Sequence, residues 1–200
     1  MKICLFGASS NITGESYIKK VEELGELLAR RGHELIFGAG GEGLMGAAAR
    51  GFKAGGGRVT GIVPTFFTNE VKAHLFQDCD ETIFTKTMAE RKTLMEDKAD
   101  AFITVPGGIG TLEEFFEVLT LKQLGRHAKA IVIYNVNGYF DKLVEMLQTS
   151  VEEGFLNKYV LRFLEITDDP EEAAQYLEHY DPSQFDLESS GYYRNQGQQP

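Results

Sequence analysis

Basic and sulfur-containing side chains share one face of a segment that the sequence predicts to be helical, residues 86–98. Four of them stand at positions i, i+3, i+4 and i+7, the spacing of a single helix face: Met88, Arg91, Lys92 and Met95. The methionines alone would indicate a core face, and basic helix residues usually extend their charged ends into water. Two cations beside an apolar stripe could also hold an anionic ligand, and composition leaves both interpretations open.

Acidic side chains follow a predicted strand and a glycine-rich turn further along the chain. Thr111 is followed by three carboxylates at helical spacing, Glu113, Glu114 and Glu117. A carboxylate at such a position could stabilise an oxocarbenium-like centre or orient a water molecule. The pattern Thr-x-x-Glu is also a capping box, which gives Glu114 a purely structural interpretation. Spacing alone leaves open which of the three glutamates would do the chemistry.

Three glycine-rich turns each follow a predicted strand and open a predicted helix. They are residues 7–10, 38–46 and 106–111. Glycine lets backbone N–H groups approach an anion closely, and a helix N-terminus adds a favourable dipole. With the hydroxyl groups of Ser9, Ser10 and Thr111, the turns could hold one phosphate. Any single turn is more often a plain connection, but three in one small sheet favour a nucleotide or sugar-phosphate site.

Several other ligand classes are disfavoured by what the sequence lacks. GxGxxG occurs twice within residues 38–46, but the next predicted strand ends at Pro64 without the acidic residue that binds the ribose of NAD or FAD. No Gly-Lys-Ser/Thr motif is present, which argues against a P-loop. The four histidines show no metal-ligand spacing, so the sequence predicts no metal site.

Composition restricts the partners further. The chain has 200 residues, of which 42% are hydrophobic, and a formal net charge of −10. An acidic chain without a basic run is a poor candidate for binding nucleic acids or anionic membranes. No apolar run approaches ~18 residues, and residues 1–7 show no signal-peptide pattern. Cys4 and Cys79 form no disulfide framework, and we expect a cytoplasmic protein.

The elements that must position these residues alternate between strands and helices. The predicted strands are residues 2–6, 34–37, 58–63, 81–84, 101–105, 130–134 and 162–166. The predicted helices are residues 15–31, 44–54, 86–98, 111–124, 139–153 and 170–177. This alternation predicts a single α/β domain over residues 1–180, with a parallel sheet covered on both faces and an edge strand at 81–84. Residues 181–200 are polar and aperiodic and are expected to be a disordered tail.

Two motifs together resemble a known family. MAERK at residues 88–92, followed by PGGIGTLEE at 106–114, is similar to the Lonely Guy (LOG) family of cytokinin riboside 5′-monophosphate phosphoribohydrolases, which are often labelled lysine decarboxylases. Further matches are Phe6–Ser10, Gly43–Gly46, Gly61–Pro64, Gln123–Gly125, Gly138–Tyr139 and Glu153–Phe155. The resemblance covers about residues 2–180.

The resemblance implies a fold, a reaction and a set of site residues. The fold would be a Rossmann-like, doubly wound parallel sheet in a homodimer or higher homo-oligomer. The reaction would be hydrolysis of the N-glycosidic bond of adenosine 5′-monophosphates, plain or N6-substituted, without a cofactor or metal. By motif position, Arg91 and Glu114 would be the catalytic pair. The substrate-binding residues would be Ser9, Met88, Lys92, Gly107, Gly108, Gly110 and Thr111.

Two alternatives remain beside this interpretation. One is a general nucleoside-monophosphate nucleosidase used for salvage, and the other is a non-catalytic nucleotide or molybdenum-cofactor carrier of the same fold. A carrier has no need of the Arg91 and Glu114 pair. Ala39 interrupts the family's run of glycines, and Gly7-Ala8 replaces its Cys-Gly, so the departures concern the pocket rather than the pair. A lysine decarboxylase is rejected because nothing marks a Schiff-base lysine with pyridoxal-phosphate surroundings.

Overall fold

A seven-stranded parallel sheet forms the centre of the computed structural model, which describes residues 1–10, 14–67 and 72–184. The strands are β1 Lys2–Phe6, β2 Glu34–Phe37, β3 Val59–Pro64, β4 Glu81–Thr85, β5 Ala101–Thr104, β6 Ala130–Tyr134 and β7 Glu165–Thr167. Their order is β4-β3-β2-β1-β5-β6-β7, and each neighbouring pair is parallel. The order reverses direction between β1 and β5, which is where doubly wound sheets bind ligands.

Helices cover both faces of the sheet. They are α1 Glu15–Arg30, α2 Gly43–Ala54, α3 Met88–Lys98, α4 Ile109–Gln123, α5 Asp141–Glu152 and α6 Pro170–His179. Short 3-10 helices are Val136–Gly138, Lys158–Phe163 and Pro182–Gln184. Buried side chains of α1, α2 and α6 pack on one face, and those of α3 and α4 pack on the other. The α/β, Rossmann-like class predicted from the sequence is therefore confirmed.

The two apolar layers explain why the strands are almost continuously apolar. In β1, Ile3 and Leu5 belong to the layer under α1 and α2, whereas Cys4 and Phe6 belong to the layer under α3 and α4. Successive side chains of a strand point to opposite faces, so a sheet covered on both faces needs apolar residues at every position. Cys4 is fully buried, as expected of a small core residue.

The first glycine-rich turn is fixed against the start of α2. The N–H groups of Leu44 and Met45 donate to the carbonyl oxygen of Ala8 at 2.8 and 3.0 Å. Gly43 has φ +57°, and a Cβ there would lie 2.6 Å from the same oxygen. Glycine is required at this position because both the positive φ and the close approach exclude a side chain. The backbone at Ala8, after β1, is therefore held against the start of α2 at the carboxyl ends of the strands.

Four predicted elements begin two or more residues away from the observed ones. The helices expected from residues 86 and 111 begin at Met88 and Ile109. Residues 162–166 were expected as one strand, but Lys158–Phe163 is a 3-10 helix and the strand is Glu165–Thr167. The Asn157 side chain accepts from the Tyr159 N–H and starts this turn, and the three-residue spacing buries Val160 and Phe163 together. The helix expected from residue 139 begins at Asp141, after the 3-10 turn.

Most of the predicted tail, residues 185–200, lies outside the described residues. No helix in the described part of the chain is long and apolar enough to cross a bilayer.

Candidate active site

A cavity of about 640 Å³ opens at the carboxyl ends of the central strands, beside the point where the strand order reverses. All three glycine-rich turns contribute to its lining, together with α3 and the first turns of α4. The predicted site residues on its wall are Ser9, Met88, Arg91, Lys92, Gly108, Gly110, Thr111 and Glu114. The structure therefore brings together predicted site residues from three separate segments of the chain, 9, 88–92 and 108–114.

Arg91 lies at the buried side of this cavity, where α3 passes over the sheet. Its side chain is only 10% exposed. The guanidinium donates to the Ile62 carbonyl oxygen through Nε at 3.2 Å and to Glu114 Oε1 through Nη1 at 2.9 Å. The alternative that Arg91 extends to solvent is wrong, because its charge is compensated inside the protein. A second contact of Nη1 reaches the Met88 sulfur at 3.4 Å.

Gly38 makes room for the guanidinium. A Cβ at residue 38 would overlap Nη2 of Arg91. This glycine follows β2 and begins the second glycine-rich turn, so the backbone itself forms one wall of the arginine site. Any larger residue would force the end of the Arg91 side chain to move.

Glu114 faces Arg91 from the second turn of α4. The helix begins at Ile109 with Gly108 as its N-cap, so Thr111 lies within the first turn and cannot cap it. The capping-box interpretation of Thr111 and Glu114 is therefore wrong, and the Glu114 carboxylate is available to pair with Arg91. Burial raises the pKa of Glu114 above its ordinary value, and the neighbouring guanidinium opposes only part of that increase.

Lys92 pairs with the other two candidate carboxylates. Its Nζ lies 2.5 Å from Glu113 Oε1 and 2.8 Å from Glu117 Oε2. Burial lowers the pKa of the Lys92 amine, but the hydrogen bonds to both glutamates raise it above its ordinary value overall. Packing thus divides the three glutamates that spacing could not distinguish: Glu114 pairs with the arginine, and the others pair with the lysine.

Sequence reasoning missed Glu96, which extends this cluster of charges between α3 and α4. Burial raises the pKa of its carboxyl group to about 7, and the adjacent Glu117 carboxylate adds to this increase. A signal for this contact was present in the spacing. Glu96 follows Lys92 by four residues on α3, and Glu117 follows Glu113 by four residues on α4. The members of each pair therefore lie on the same face of their helix.

The turn that opens α4 has two kinds of glycine. Cβ atoms at Gly108 or Gly110 would meet no atom within 4 Å, so these residues border open space in the cavity. A Cβ at Gly107 would instead overlap the buried Thr111 side chain. Gly107 lines a smaller cavity of about 320 Å³, where its carbonyl oxygen accepts from the Tyr139 hydroxyl at 2.7 Å. It therefore sets the position of Thr111 and lies outside the wall of the main cavity.

Five further residues line the cavity that the sequence did not single out as site residues: Glu42, Met45, Phe67, His74 and Leu75. Glu42 and Met45 belong to the second glycine-rich turn, which the sequence did indicate. The other three belong to the connection between β3 and β4, where the sequence shows no helical or strand period. Their placement depends on hydrogen bonds between this connection and the second glycine-rich turn, which no local pattern indicates.

The chain is also similar to proteins of known family. A family model described as possible lysine decarboxylase matches residues 45–177. The chain is 37% identical to cytokinin riboside 5′-monophosphate phosphoribohydrolase LOG7 of Arabidopsis thaliana, over 92% of this chain and 84% of that protein. It is 36% identical to probable cytokinin riboside 5′-monophosphate phosphoribohydrolase LOGL6 of Oryza sativa subsp. japonica, over 90% of this chain and 72% of that protein. The chain belongs to the Lonely Guy family.

Solved structures with the same fold are more distant from this Lonely Guy protein in sequence. TM1055 superposes with a TM-score of 0.69 at 22% identity, covering 90% of this chain and 99% of TM1055. The molybdenum cofactor carrier protein MCP from Chlamydomonas reinhardtii superposes with a TM-score of 0.66 at 22% identity, covering 88% and 95% of the two chains. At this identity the similarity establishes the fold alone.

Gly38→Ala is expected to displace Arg91 while leaving the fold intact, because the overlapped atom is the end of a flexible side chain. Displacement of Arg91 breaks its charge-assisted hydrogen bond to Glu114. We therefore expect binding of adenosine 5′-monophosphate, measured by calorimetry, to weaken by roughly tenfold or more. The matched control is Gly14→Ala, whose Cβ would make only an ordinary contact with Tyr17. Equal nucleotide affinity in both variants would contradict this role of Gly38.

Glu96→Gln should alter the pH dependence of stability. A folded-state pKa of about 7, against an ordinary 4.5, means that the folded protein binds the proton more tightly. The free energy of unfolding therefore falls as pH rises between these values, and ionised Glu96 destabilises the fold above pH 7. Because Glu96 is partly exposed, the gain for Glu96→Gln at pH 8 should be on the order of 1 kcal/mol.

Urea denaturation of the wild type and Glu96→Gln at pH 5 and pH 8 measures this difference. The exposed Glu152→Gln on α5 is the control for removing one carboxylate. The prediction fails when the wild type and Glu96→Gln lose the same stability between the two pH values.

Proposed function

We propose that this protein hydrolyses the N-glycosidic bond of adenosine 5′-monophosphates, including N6-substituted ones, and releases the free base and ribose 5-phosphate. The observation that carries this proposal is the buried Arg91–Glu114 ion pair on the wall of a cavity that also contains a helix N-terminus. The names of the plant relatives describe the same reaction. The catalytic domain would comprise residues 1–180, with residues 181–200 as a tail.

The 5′-phosphate would bind at the start of α4. The first N–H groups of a helix have no intrahelical partners, and together with the helix dipole they form an anion site. Gly108 and Gly110 leave open space there, and the first turn contains no acidic residue. We assign Ser9 and Thr111 as hydroxyl contacts, with Gly107 supporting Thr111. Phosphate binding at this point would fix the ribose next to the ion pair.

Glu114 would act on the ribosyl carbon. In the reaction, the C1′–N bond breaks, the base leaves with the bonding electrons and a proton, and the oxygen of water bonds to C1′. Positive charge develops at C1′ on the way, and a carboxylate in a cavity of low dielectric stabilises it strongly. Burial already makes ionisation of Glu114 costly. The carboxylate is therefore stabilised more by the positive charge of the transition state than by the neutral ribose of the substrate.

Arg91 and Lys92 would hold the nucleotide from α3. The Arg91 guanidinium keeps Glu114 oriented and can donate a hydrogen bond to the departing base. Met88 lies at the same wall, where its Sδ accepts from Arg91. The reaction is a hydrolysis without electron transfer, so the proposal includes no redox cofactor.

The apolar part of the cavity favours substrates with an N6 substituent over a general salvage role. Met45, Phe67, Leu75 and Met88 line it. An apolar substituent buried against such side chains gains free energy, at about 25 cal/mol per Å² of apolar surface. A polar base without a substituent would leave that surface in contact with water.

The decisive experiment separates hydrolysis from binding. The protein is incubated with adenosine 5′-monophosphate, N6-isopentenyladenosine 5′-monophosphate and the two corresponding nucleosides, and the free base is measured by chromatography. We expect base only from the monophosphates, with faster release from the isopentenyl compound. Glu114→Gln should retain nucleotide binding and lose roughly 100-fold or more in kcat. Retained nucleotide without any base release from the wild type would contradict the proposal and support a carrier.

We also propose a cytoplasmic homodimer that binds neither nucleic acid nor membranes, in keeping with the net charge of −10. Both cysteines are unpaired in the structure, which suits a reducing compartment.

Ile109 and Phe116 stand seven residues apart on α4 and are 87% and 38% exposed. Apolar side chains on one exposed helix face are typical of interfaces.

Sedimentation equilibrium tests the assembly. The expected mass is twice 22.3 kDa, and Phe116→Glu should shift the equilibrium toward the monomer. A wild-type protein that remains monomeric at high micromolar concentration would refute the dimer.

A further inference from the structure

A carboxylate and an imidazole face each other at the end of the cavity that lies beyond β2. The Nδ1 atom of His74 is 2.9 Å from Oε1 of Glu42, and both residues line the cavity. Glu42 is the N-cap residue of α2, but its side chain makes no capping hydrogen bond. The carboxylate is therefore not required for starting the helix, and its contact with His74 calls for another explanation.

The backbone around His74 is held in place by the second glycine-rich turn. The Gly41 N–H donates to the His74 carbonyl oxygen at 2.8 Å, and the Phe76 N–H donates to the Ala39 carbonyl oxygen at 2.8 Å. Gly40 and Leu75 form an antiparallel bridge between these bonds. His74 is thus attached to the wall of the cavity and can fix the orientation of the Glu42 side chain.

The two helix N-termini at the cavity are not equivalent, and this difference orients a nucleotide. At α2, the N–H groups of Leu44 and Met45 already donate to Ala8, and the Glu42 carboxylate would repel a phosphate. At α4, the nearest carboxylates, Glu113 and Glu114, are each paired with a cation. The phosphate is therefore expected at α4 and the base at α2.

The distance between the two ends suits this orientation. The α2 helix follows β2 and the α4 helix follows β5, and β1 is the one strand between them. Two strand spacings amount to roughly 10 Å. A nucleotide, whose ribose separates the phosphate from the base, spans about this distance. The Arg91–Glu114 pair comes from α3 and α4 and faces the space in between.

We propose that Glu42, oriented by His74, selects 6-amino over 6-oxo purines. This inference rests on the proposed function and names the residues that determine the base. A carboxylate only accepts hydrogen bonds, and it can accept several. The N–H of a 6-amino group donates to it, and an N6-monosubstituted group keeps one such N–H. A 6-oxo base presents a carbonyl oxygen instead, so two acceptors face each other and the hydrogen bond to Glu42 is lost.

The test compares kcat/KM for adenosine and inosine 5′-monophosphates in the wild type and in Glu42→Gln. The wild type should favour the 6-amino substrate. The glutamine amide can donate to the 6-oxo oxygen, so we expect the ratio of the two kcat/KM values to fall ~10- to 100-fold in the variant. His74→Leu should lower the same ratio by a smaller factor, since it only releases Glu42. An unchanged ratio in Glu42→Gln would overturn the proposal.

Glu113→Gln is the matched control, because it removes the same charge from the opposite end of the same cavity. It should change both kcat/KM values by the same factor and leave their ratio as in the wild type. A ratio that falls equally in Glu113→Gln would show a general charge effect and overturn the assignment to Glu42. Inhibition by ribose 5-phosphate, which lacks a base, should be equal in the wild type and Glu42→Gln. Tighter inhibition of Glu42→Gln would place the phosphate beside α2 and also overturn it.

Failure of the proposed function would be recognised separately. If the wild type releases no base from either nucleotide, calorimetric affinities of the two monophosphates replace the kinetic ratio. A preference for the 6-amino nucleotide that disappears in Glu42→Gln would still support the specificity role in a binding protein. Equal affinities of the wild type for the two nucleotides would overturn it.

Discussion

The buried pairing of Arg91 with Glu114 is the interaction on which the arrangement of this site depends. Removing a guanidinium and a carboxylate from water costs several kcal/mol per ion unless both are well compensated. Here the compensation comes from three parts of the fold: the α4 carboxylate, the Ile62 carbonyl oxygen at β3, and the space left by Gly38 after β2. The position of α3 is consequently tied to two strands and to α4, and the loop after β2 has little freedom to change.

The remaining charges between α3 and α4 neutralise one another in the same way. Lys92 is paired with Glu113 and Glu117, and the negative charge of Glu117 helps to raise the pKa of Glu96. Both cations at the cavity are therefore already matched by carboxylates. Under the proposed function, attraction for a phosphate would come chiefly from the backbone of α4, which carries a dipole without a net charge. A site of this kind would let a chain with a net charge of −10 bind an anionic nucleotide.

Proteins of low sequence similarity share the fold of this chain. A molybdenum cofactor carrier shares the architecture at 22% identity. Function is carried by groups placed on a fold, so the architecture alone does not distinguish an enzyme from a carrier. In this chain, the buried Glu114 carboxylate on the cavity wall is a costly arrangement that simple binding does not require. The glycine turns provide the anion site that either kind of protein could use.

The sequence by itself determined the alternation of strands and helices, the edge position of β4, and the membership of Arg91 and Glu114 in one motif pair. These features are readable because strand and helix periods, glycine turns and buried apolar runs are local properties of the chain. The local pattern misled where two signals competed. Thr111 and Glu114 match a capping box, yet α4 starts earlier, at Ile109, with Gly108 as its N-cap. The apolar residues near Val160 suit a 3-10 turn better than a strand.

Only the tertiary structure decided which carboxylate meets which cation. Arg91 and Glu114 are 23 residues apart, and their contact follows from how α3 and α4 pack across the sheet. The same holds for His74, which belongs to the aperiodic connection between β3 and β4. Backbone hydrogen bonds attach this connection to the second glycine-rich turn and so place His74 beside Glu42. When two side chains are separated by whole βα units, packing and the desolvation of charge determine whether they pair. Neither effect can be predicted from a short stretch of sequence.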